Sequence, residues 1–216
     1  MGAEEGEPMN WMDMTQREFM AALASSSPTP GGGTAAAVSL GQAAALSIMV
    51  CDLTLGKDKW TEGWGIAEQI QLKAIPMISS SGELADKDSQ AFDAVMDAFN
   101  LPKSTPEEIE LRRKTIREST LYAAEIPLET AKAAADLLSL LPNLASNGNA
   151  NAVSDVGVAG LLASAAAKGA LFNVEINLKS LPESMSQALF PQVQELKEQI
   201  RIDSRRVMDA VRERLN

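Results

Sequence analysis

"SSSPTPGGGTAAAVSLGQAAALSIMVC" (residues 25–51) sets two prolines and three consecutive glycines directly ahead of eighteen residues that carry no charge. Ala, Leu and Met are strong helix formers, so the segment predicts a helix over about 34–55. Thr34 is placed to cap the amides behind Gly33, and Gly56 sits where a helix ends. Residues 34–51 just reach membrane-spanning length, but Ala, Ser, Gly and Thr dominate where lipid would select Leu or Phe. A buried helix with small sides is the better reading. The bare entry at Gly31, Gly32 and Gly33 then has two explanations. One is a cradle of amides for an anion or carbonyl; the other is a tight entry into a packed helix. It lacks the Lys-Ser/Thr of a phosphate loop and the strand that should precede one.

Composition extends the helical reading outward. In 216 residues, 45% are hydrophobic and only 4% aromatic, so the core must be built from Ala, Leu, Val, Ile and Met. One domain spanning residues 1–216 is long enough to enclose such a core. A formal net charge of −10 argues against nucleic acid or an anionic membrane as a partner. The lone Cys51 rules out an intramolecular disulfide and suits a reducing compartment. "MGAEEGEP" (1–8) is acidic where a secretory signal would be basic and then apolar. The expected location is the cytoplasm.

The chain contains no histidine. That removes Ser-His-Asp and Cys-His catalysis and every zinc site with an imidazole ligand; a single cysteine removes all-thiolate metal sites as well. Proton transfer must therefore fall to Asp, Glu, Lys, Tyr122 or Cys51.

Nothing reads as a sheet, and the expectation is an all-α fold, a single bundle of about six helices. The first covers 13–25, capped by Asp13 or Thr15. A third, long stretch covers 61–99 and bends near Pro76. "LPKSTPEE" (101–108) connects it to a fourth helix, with Ser104 or Thr105 as cap and Pro106 in the first turn. That helix runs to about 140 with a kink at Pro127. "LPNLASNGNANAVSD" (141–155) is the longest turn-rich stretch. A fifth helix follows from Ser154 or Asp155 past 175, although "FNVEINLKSL" (172–181) also alternates like a strand. A sixth covers 186–214.

Candidate chemistry gathers in two places. In "KDSQAFDAVMDAFNLPK" (87–103), Leu84, Phe92, Val95, Met96 and Phe99 form a helical stripe expected to face the interior. Asp88 falls on it, and burial would raise its pKa toward neutrality. Asp93 borders the stripe as a second candidate. The other place is the Asn-rich loop, with Asn147, Asn149, Asn151, Ser154 and Asp155; turn and cap roles are the plainer explanation for each of the last two. Asn173 and Asn177 continue a line of alanines as two amides on an apolar face, and buried amides need partners. Lys57 and Lys59 follow the second helix, as dipole-favoured cations or as a carboxylate site.

"SSPTPGGGTAAAVS", "MVCDLTLGKDKW", "DSQAFDAVMDAFNLPK" and "GNANAVSDVGVAGLLASAAAKGALFNVEINLKSL" together resemble the cyclodeaminase part of the formiminotransferase-cyclodeaminase family, which includes free-standing methenyltetrahydrofolate cyclohydrolases. The resemblance spans roughly residues 15–181, with four blocks in order. It implies an all-helical homodimer acting on a tetrahydrofolate, without metal or redox cofactor. Of the two activities, hydrolysis of the methenyl bridge to 10-formyltetrahydrofolate ranks first. Release of ammonia from formiminotetrahydrofolate is the alternative, and a non-enzymatic interaction module is the second. On this reading Asp88 shuttles the proton and Asp93 or Asp155 balances the cation. Asn151, Asn173 and Asn177 hold the pterin, and the helix start at Gly31–Thr34 with Lys57 and Lys59 receives the glutamate tail. Asp52 departs from the pattern, in which an Asn commonly precedes "LT"; four residues after Ile48, it is expected to face the cavity.

Overall fold

Helix starts follow their capping chemistry. In the computed structural model, which describes residues 10–216, a 3-10 turn at Trp11–Asp13 leads into α1 (Gln16–Leu23). Thr15 caps α1 and Glu18 reaches back to the Thr15 amide; the same reciprocal box, Thr105 with Glu108, opens α4 with Pro106 in its first turn. The acidic segment 1–8 lies outside the described residues. The remaining helices are α2 (Gly32–Thr54), α3 (Trp64–Asn100), α4 (Pro106–Asn147), α5 (Val153–Ser180), α6 (Glu183–Ser186) and α7 (Phe190–Leu215). No strand occurs among the described residues, and 172–180, which alternates like one, is the end of α5.

Long helices α2 to α5 form a four-membered bundle. α2 packs between α3 and α5 with α4 across the diagonal, and α7 covers α4 and α5. Small side chains make this possible: Ala37, Ala43 and Ala44 of α2 and Ala159, Ala163, Ala166, Ala167 and Ala170 of α5 are fully buried, so the two backbones approach closely. α2 and α5 run antiparallel. Gly169 lies against Ala36 at one end, and Asn149 reaches Leu53 and Thr54 at the other.

Two expectations need correction. α4 does not stop near 140 but continues through Pro142 to Asn147, as it also continues through Pro127. A proline inside a helix costs about 3 kcal/mol. Leu137, Leu138, Leu141 and Leu144 on the same turns are fully buried, and each contributes roughly 1.5–3 kcal/mol. Burial wins. The second correction concerns the bulky stripe of α3: Phe92, Met96 and Phe99 are 40%, 45% and 50% exposed, while the core side is Leu84, Ala85, Ser89, Ala91 and Ala98. Close helix contact selects the small face, and the large side chains are turned outward.

Candidate active site

The bare entry to α2 decides the site. Gly31 is the residue before the first turn and has no side chain with which to cap it. Asp88 of α3 comes up to this turn instead, where it accepts a hydrogen bond from the Thr34 hydroxyl at 3.0 Å. Thr34 stands inside the first turn, and its hydroxyl takes the Gly31 amide at 3.4 Å while giving its own proton to Asp88. Gly33 is where the two helices touch. A Cβ built there would run into the Asp88 carboxyl, Oδ1 foremost, more closely than any real contact. Glycine is required at that position by space.

A cavity of about 270 Å³ opens beside this contact, walled by Gly31, Gly32, Gly33, Asp88, Phe92, Val95, Ala123, Asn173, Ile176 and Asn177, together with Pro28 and Thr29. The Thr29–Pro30 peptide just before the glycines is cis. Among the described residues, Asp88 is the only titratable side chain on these walls. Burial pushes its pKa up, and the hydrogen bonds from Thr34 work in the opposite direction without cancelling it. Asn177 donates its Nδ2 to the Ala123 carbonyl at 2.7 Å, and Asn173 donates to Gly169 at 3.1 Å. Each amide is thereby oriented, and each side-chain carbonyl is left free of partners among the described residues. A larger groove of about 410 Å³ lies between α1 and α2, but none of the described residues lining it is titratable.

The sequence-derived candidates divide. Gly31, Gly32, Gly33, Thr34, Asp88, Asn173 and Asn177 come together. Asp93 is exposed and does not line the cavity. Lys57, Lys59, Asn151 and Asp155 lie at the opposite end of the bundle. Twenty residues of helix separate Thr34 from Thr54, roughly 30 Å at the rise of an α-helix. Asp155 stands in the first turn of α5 and suits the positive end of its dipole. Asn151 gives its amide to the Asn149 side chain, and Lys59 stacks 4.7 Å over Trp60. Asp52 is exposed and receives Gln71 at 2.6 Å, away from the cavity. Sequence reasoning placed both ends of one helix in one site, which a straight α-helix cannot do. It missed Phe92, Val95 and Ile176 as cavity walls, because the only signal was an apolar stripe that reads as core.

Among the described residues, the bundle thus holds one cavity whose ionisable wall group is a desolvated carboxylate at a glycine crossing. Residues 15–195 match the formiminotransferase-cyclodeaminase family model, and the chain belongs to that family. It is 42% identical over 170 residues to the methenyltetrahydrofolate cyclohydrolase of Methylorubrum extorquens, covering 78% of this chain and 81% of that protein. The mouse formimidoyltransferase-cyclodeaminase is 32% identical over 186 residues, which is 84% of this chain and only 34% of that longer protein. The crystal structure of formiminotetrahydrofolate cyclodeaminase from Thermotoga maritima superposes with a TM-score of 0.83 at 29% identity, covering 94% of this chain and 98% of that one.

Proposed function

We infer that this chain is a methenyltetrahydrofolate cyclohydrolase, opening the 5,10-methenyl bridge to 10-formyltetrahydrofolate. The observation that carries the reading is the desolvated Asp88 as sole ionisable group, among the described residues, of a cavity edged by open amide carbonyls, in a chain 42% identical to a cyclohydrolase over 78% of its length. The bridge carbon of the substrate is already cationic, so a carboxylate beside it supplies counter-charge and a Lewis acid is not required. Asp88 takes a proton from water as the oxygen adds to that carbon. It returns the proton to N5 as the C–N5 bond breaks, and the hydroxyl on the bridge carbon gives up its proton to solvent, leaving a neutral formyl group on N10 and releasing one proton overall. One carboxylate fills both roles that the sequence divided among Asp88, Asp93 and Asp155. The Oδ1 atoms of Asn173 and Asn177 suit the amino and ring N–H donors of a pterin, and Phe92, Val95 and Ile176 would flank the aryl group. No metal or redox cofactor takes part on this reading.

A second reading keeps the same site. In a cyclodeaminase, N10 closes on a formimino carbon and ammonia leaves, and the relatives include enzymes of that name. Following methenyl absorbance separates the two: it falls with methenyltetrahydrofolate as substrate for the hydrolase and rises with formiminotetrahydrofolate for the deaminase. No change of absorbance in either case, with no ammonia formed, leaves only an interaction module.

The assembly we propose is a cytoplasmic homodimer. α2 and α5 are long and apolar enough to cross a membrane, yet over half of each is packed inside the bundle. The rest of α5 presents Val158, Leu161, Phe172 and Ile176 at 47–67% exposure, a row that a second copy would cover. Sedimentation of the chain and of Leu161→Glu tests this; a wild-type monomer at micromolar concentration would end it.

A further inference from the structure

Asp88 is the end of a chain of hydrogen bonds that begins outside the segment matching the family. Trp11 donates its indole Nε1–H to Ser89 Oγ at 2.9 Å. Ser89 Oγ lies 3.1 Å from Thr34 Oγ1, and the Thr34 hydroxyl lies 3.0 Å from Asp88 Oδ2. With Asp88 ionised the direction of every bond follows, because the carboxylate only accepts and takes the one proton Thr34 has to give. An indole N–H only donates, so Ser89 accepts there and has one proton left to give. Thr34 Oγ1 receives it, together with the Gly31 amide at 3.4 Å. Both acceptor sites of Thr34 are then occupied, and its own proton goes to Asp88 Oδ2. Thr34 and Ser89 are both buried, so water does not compete for these protons.

Trp11 is held in place by contacts on both sides. Its backbone amide donates to Asp86 at 2.9 Å, and its ring meets Phe19 edge-on at 6.4 Å. The neighbouring Met12 fills the space left by Gly82, where a Cβ would stand 2.9 Å from Met12 Cγ. The 3-10 turn at Trp11–Asp13 thus sits in a notch cut for it on α3. The family match begins at residue 15, four residues after Trp11.

We propose that Trp11 and Ser89 are positioning residues for the proton shuttle: acting through Thr34, they fix Asp88 Oδ2 as a permanent acceptor and leave Oδ1 as the oxygen that takes and returns the mobile proton. The proposal rests on the reading of Asp88 as the shuttle. It separates Ser89 from Ser47 and Ser81, two buried serines of α2 and α3 whose hydroxyls return to carbonyls of their own helices.

Trp11→Phe keeps the ring and removes the donor; Ser89→Ala removes the relay and leaves Trp11 in place, and Ser89→Thr restores a hydroxyl. Two readouts are taken on the full chain: the pH profile of kcat/KM with methenyltetrahydrofolate, and the titration of Asp88 by carbon NMR of aspartate-labelled protein, assigned with Asp88→Asn. Losing an oriented donor to the charged form raises the pKa of Asp88. The expected result is an acid limb and an NMR titration that both move to higher pH in Trp11→Phe and Ser89→Ala. kcat falls about tenfold, a fraction of what an acid–base group supplies, with KM changed less than about twofold and Ser89→Thr recovering most of the loss. Titrations of both variants that superpose on the wild type overturn the proposal. If the NMR titration shifts while the wild-type chain fails to open the folate bridge, the relay stands and the functional reading falls.

Discussion

The two ends of the α2–α5 pair are made from the same kinds of residue. Each has a glycine-containing turn, asparagines and a carboxylate in the first turn of a helix or beside it. At the Asn-rich end Thr54 and Asn149 spend their hydrogen-bonding groups on each other and on neighbouring backbone. Thr54 Oγ1 accepts the Asn149 amide and donates to Val50, while Asn149 donates to Leu53 and accepts from Asn151. At the triple-glycine end hydrogen-bonding capacity stays open: two amide carbonyls face a cavity, and a carboxylate sits against a glycine in place of solvent. Composition does not make the site. Residual capacity beside a desolvated charge does, and at the opposite end Thr54 and Asn149 join the helices to each other without enclosing such a charge.

The sharpest way to break this comparison is to neutralise the carboxylate at each end. Asp88→Asn is expected to lower kcat by at least about 100-fold, the scale of a lost acid–base group, and Asp155→Asn to leave kcat unchanged. Equal losses would erase the distinction. Stability adds a signed check. The folded-state pKa of Asp88 is raised chiefly by burial, so the native state holds its proton more tightly than the unfolded chain does. The stability of the wild type therefore falls as pH rises from the unfolded carboxylate value through the folded one. Asp88→Asn should match or exceed the wild-type melting temperature at neutral pH, and the gap should close on acidification. A variant that unfolds more readily at pH 7 would show that the bond from Thr34 outweighs desolvation.

Next in size is the glycine contrast. Gly33→Ala forces a methyl into the Asp88 carboxyl, and overpacking of this kind costs about 1–3 kcal/mol. It also breaks the Thr34–Asp88 contact, so turnover should fall with stability. Gly65, in the first turn of α3, faces open space, and a methyl added there would meet nothing within 4 Å. Gly65→Ala should gain up to about 1 kcal/mol from helix propensity. Thermal melts of the pair read both signs at once.

Much of this was legible in the sequence, and what failed did so for physical reasons. The glycine run, Asp88, Asn173 and Asn177 were readable because each broke a local rule: bare backbone before a helix, a charge on an apolar face, amides in a line of alanines. The caps at Thr15 and Thr105 were legible because capping is a local matter. The third dimension was not. Lys57 and Lys59 follow the same helix that Thr34 begins, and proximity in sequence hid roughly 30 Å of helix axis. Periodicity also misled on α3, because a bundle packed through Ala, Ser and Gly puts its bulky residues outside. Asp88 was found through a stripe that turned out to be the rim of the cavity.

The amides test the substrate side with a smaller effect. Asn177 is tied to Ala123 of α4 and Asn173 to its own helix, so removing the first loosens an interhelical bond and removing the second does not. Asn173→Ala should raise KM about tenfold, the worth of one oriented hydrogen bond, with the melting temperature unchanged. Asn177→Ala should raise KM similarly and lose about 1 kcal/mol of stability as well. Asn151→Ala, at the opposite end, should do neither.

Smallest of all is the effect expected of the lysines, and it is the most informative about assembly. Lys57 and Lys59 are exposed and belong to the far end of α2, so in a single protomer Lys57→Ala and Lys59→Ala change KM by less than about twofold. A substrate with one glutamate cannot span the gap. α5, antiparallel to α2, carries the uncovered apolar row, and a two-fold axis crossing that row would set the start of α2 in one copy toward the end of α2 in the other. Lysine variants that raise KM in a dimer, and lose that effect when Leu161→Glu keeps the chains apart, would show the far end serving its neighbour's cavity. Lysine variants that are silent in both states confine the site to the triple-glycine end of one chain.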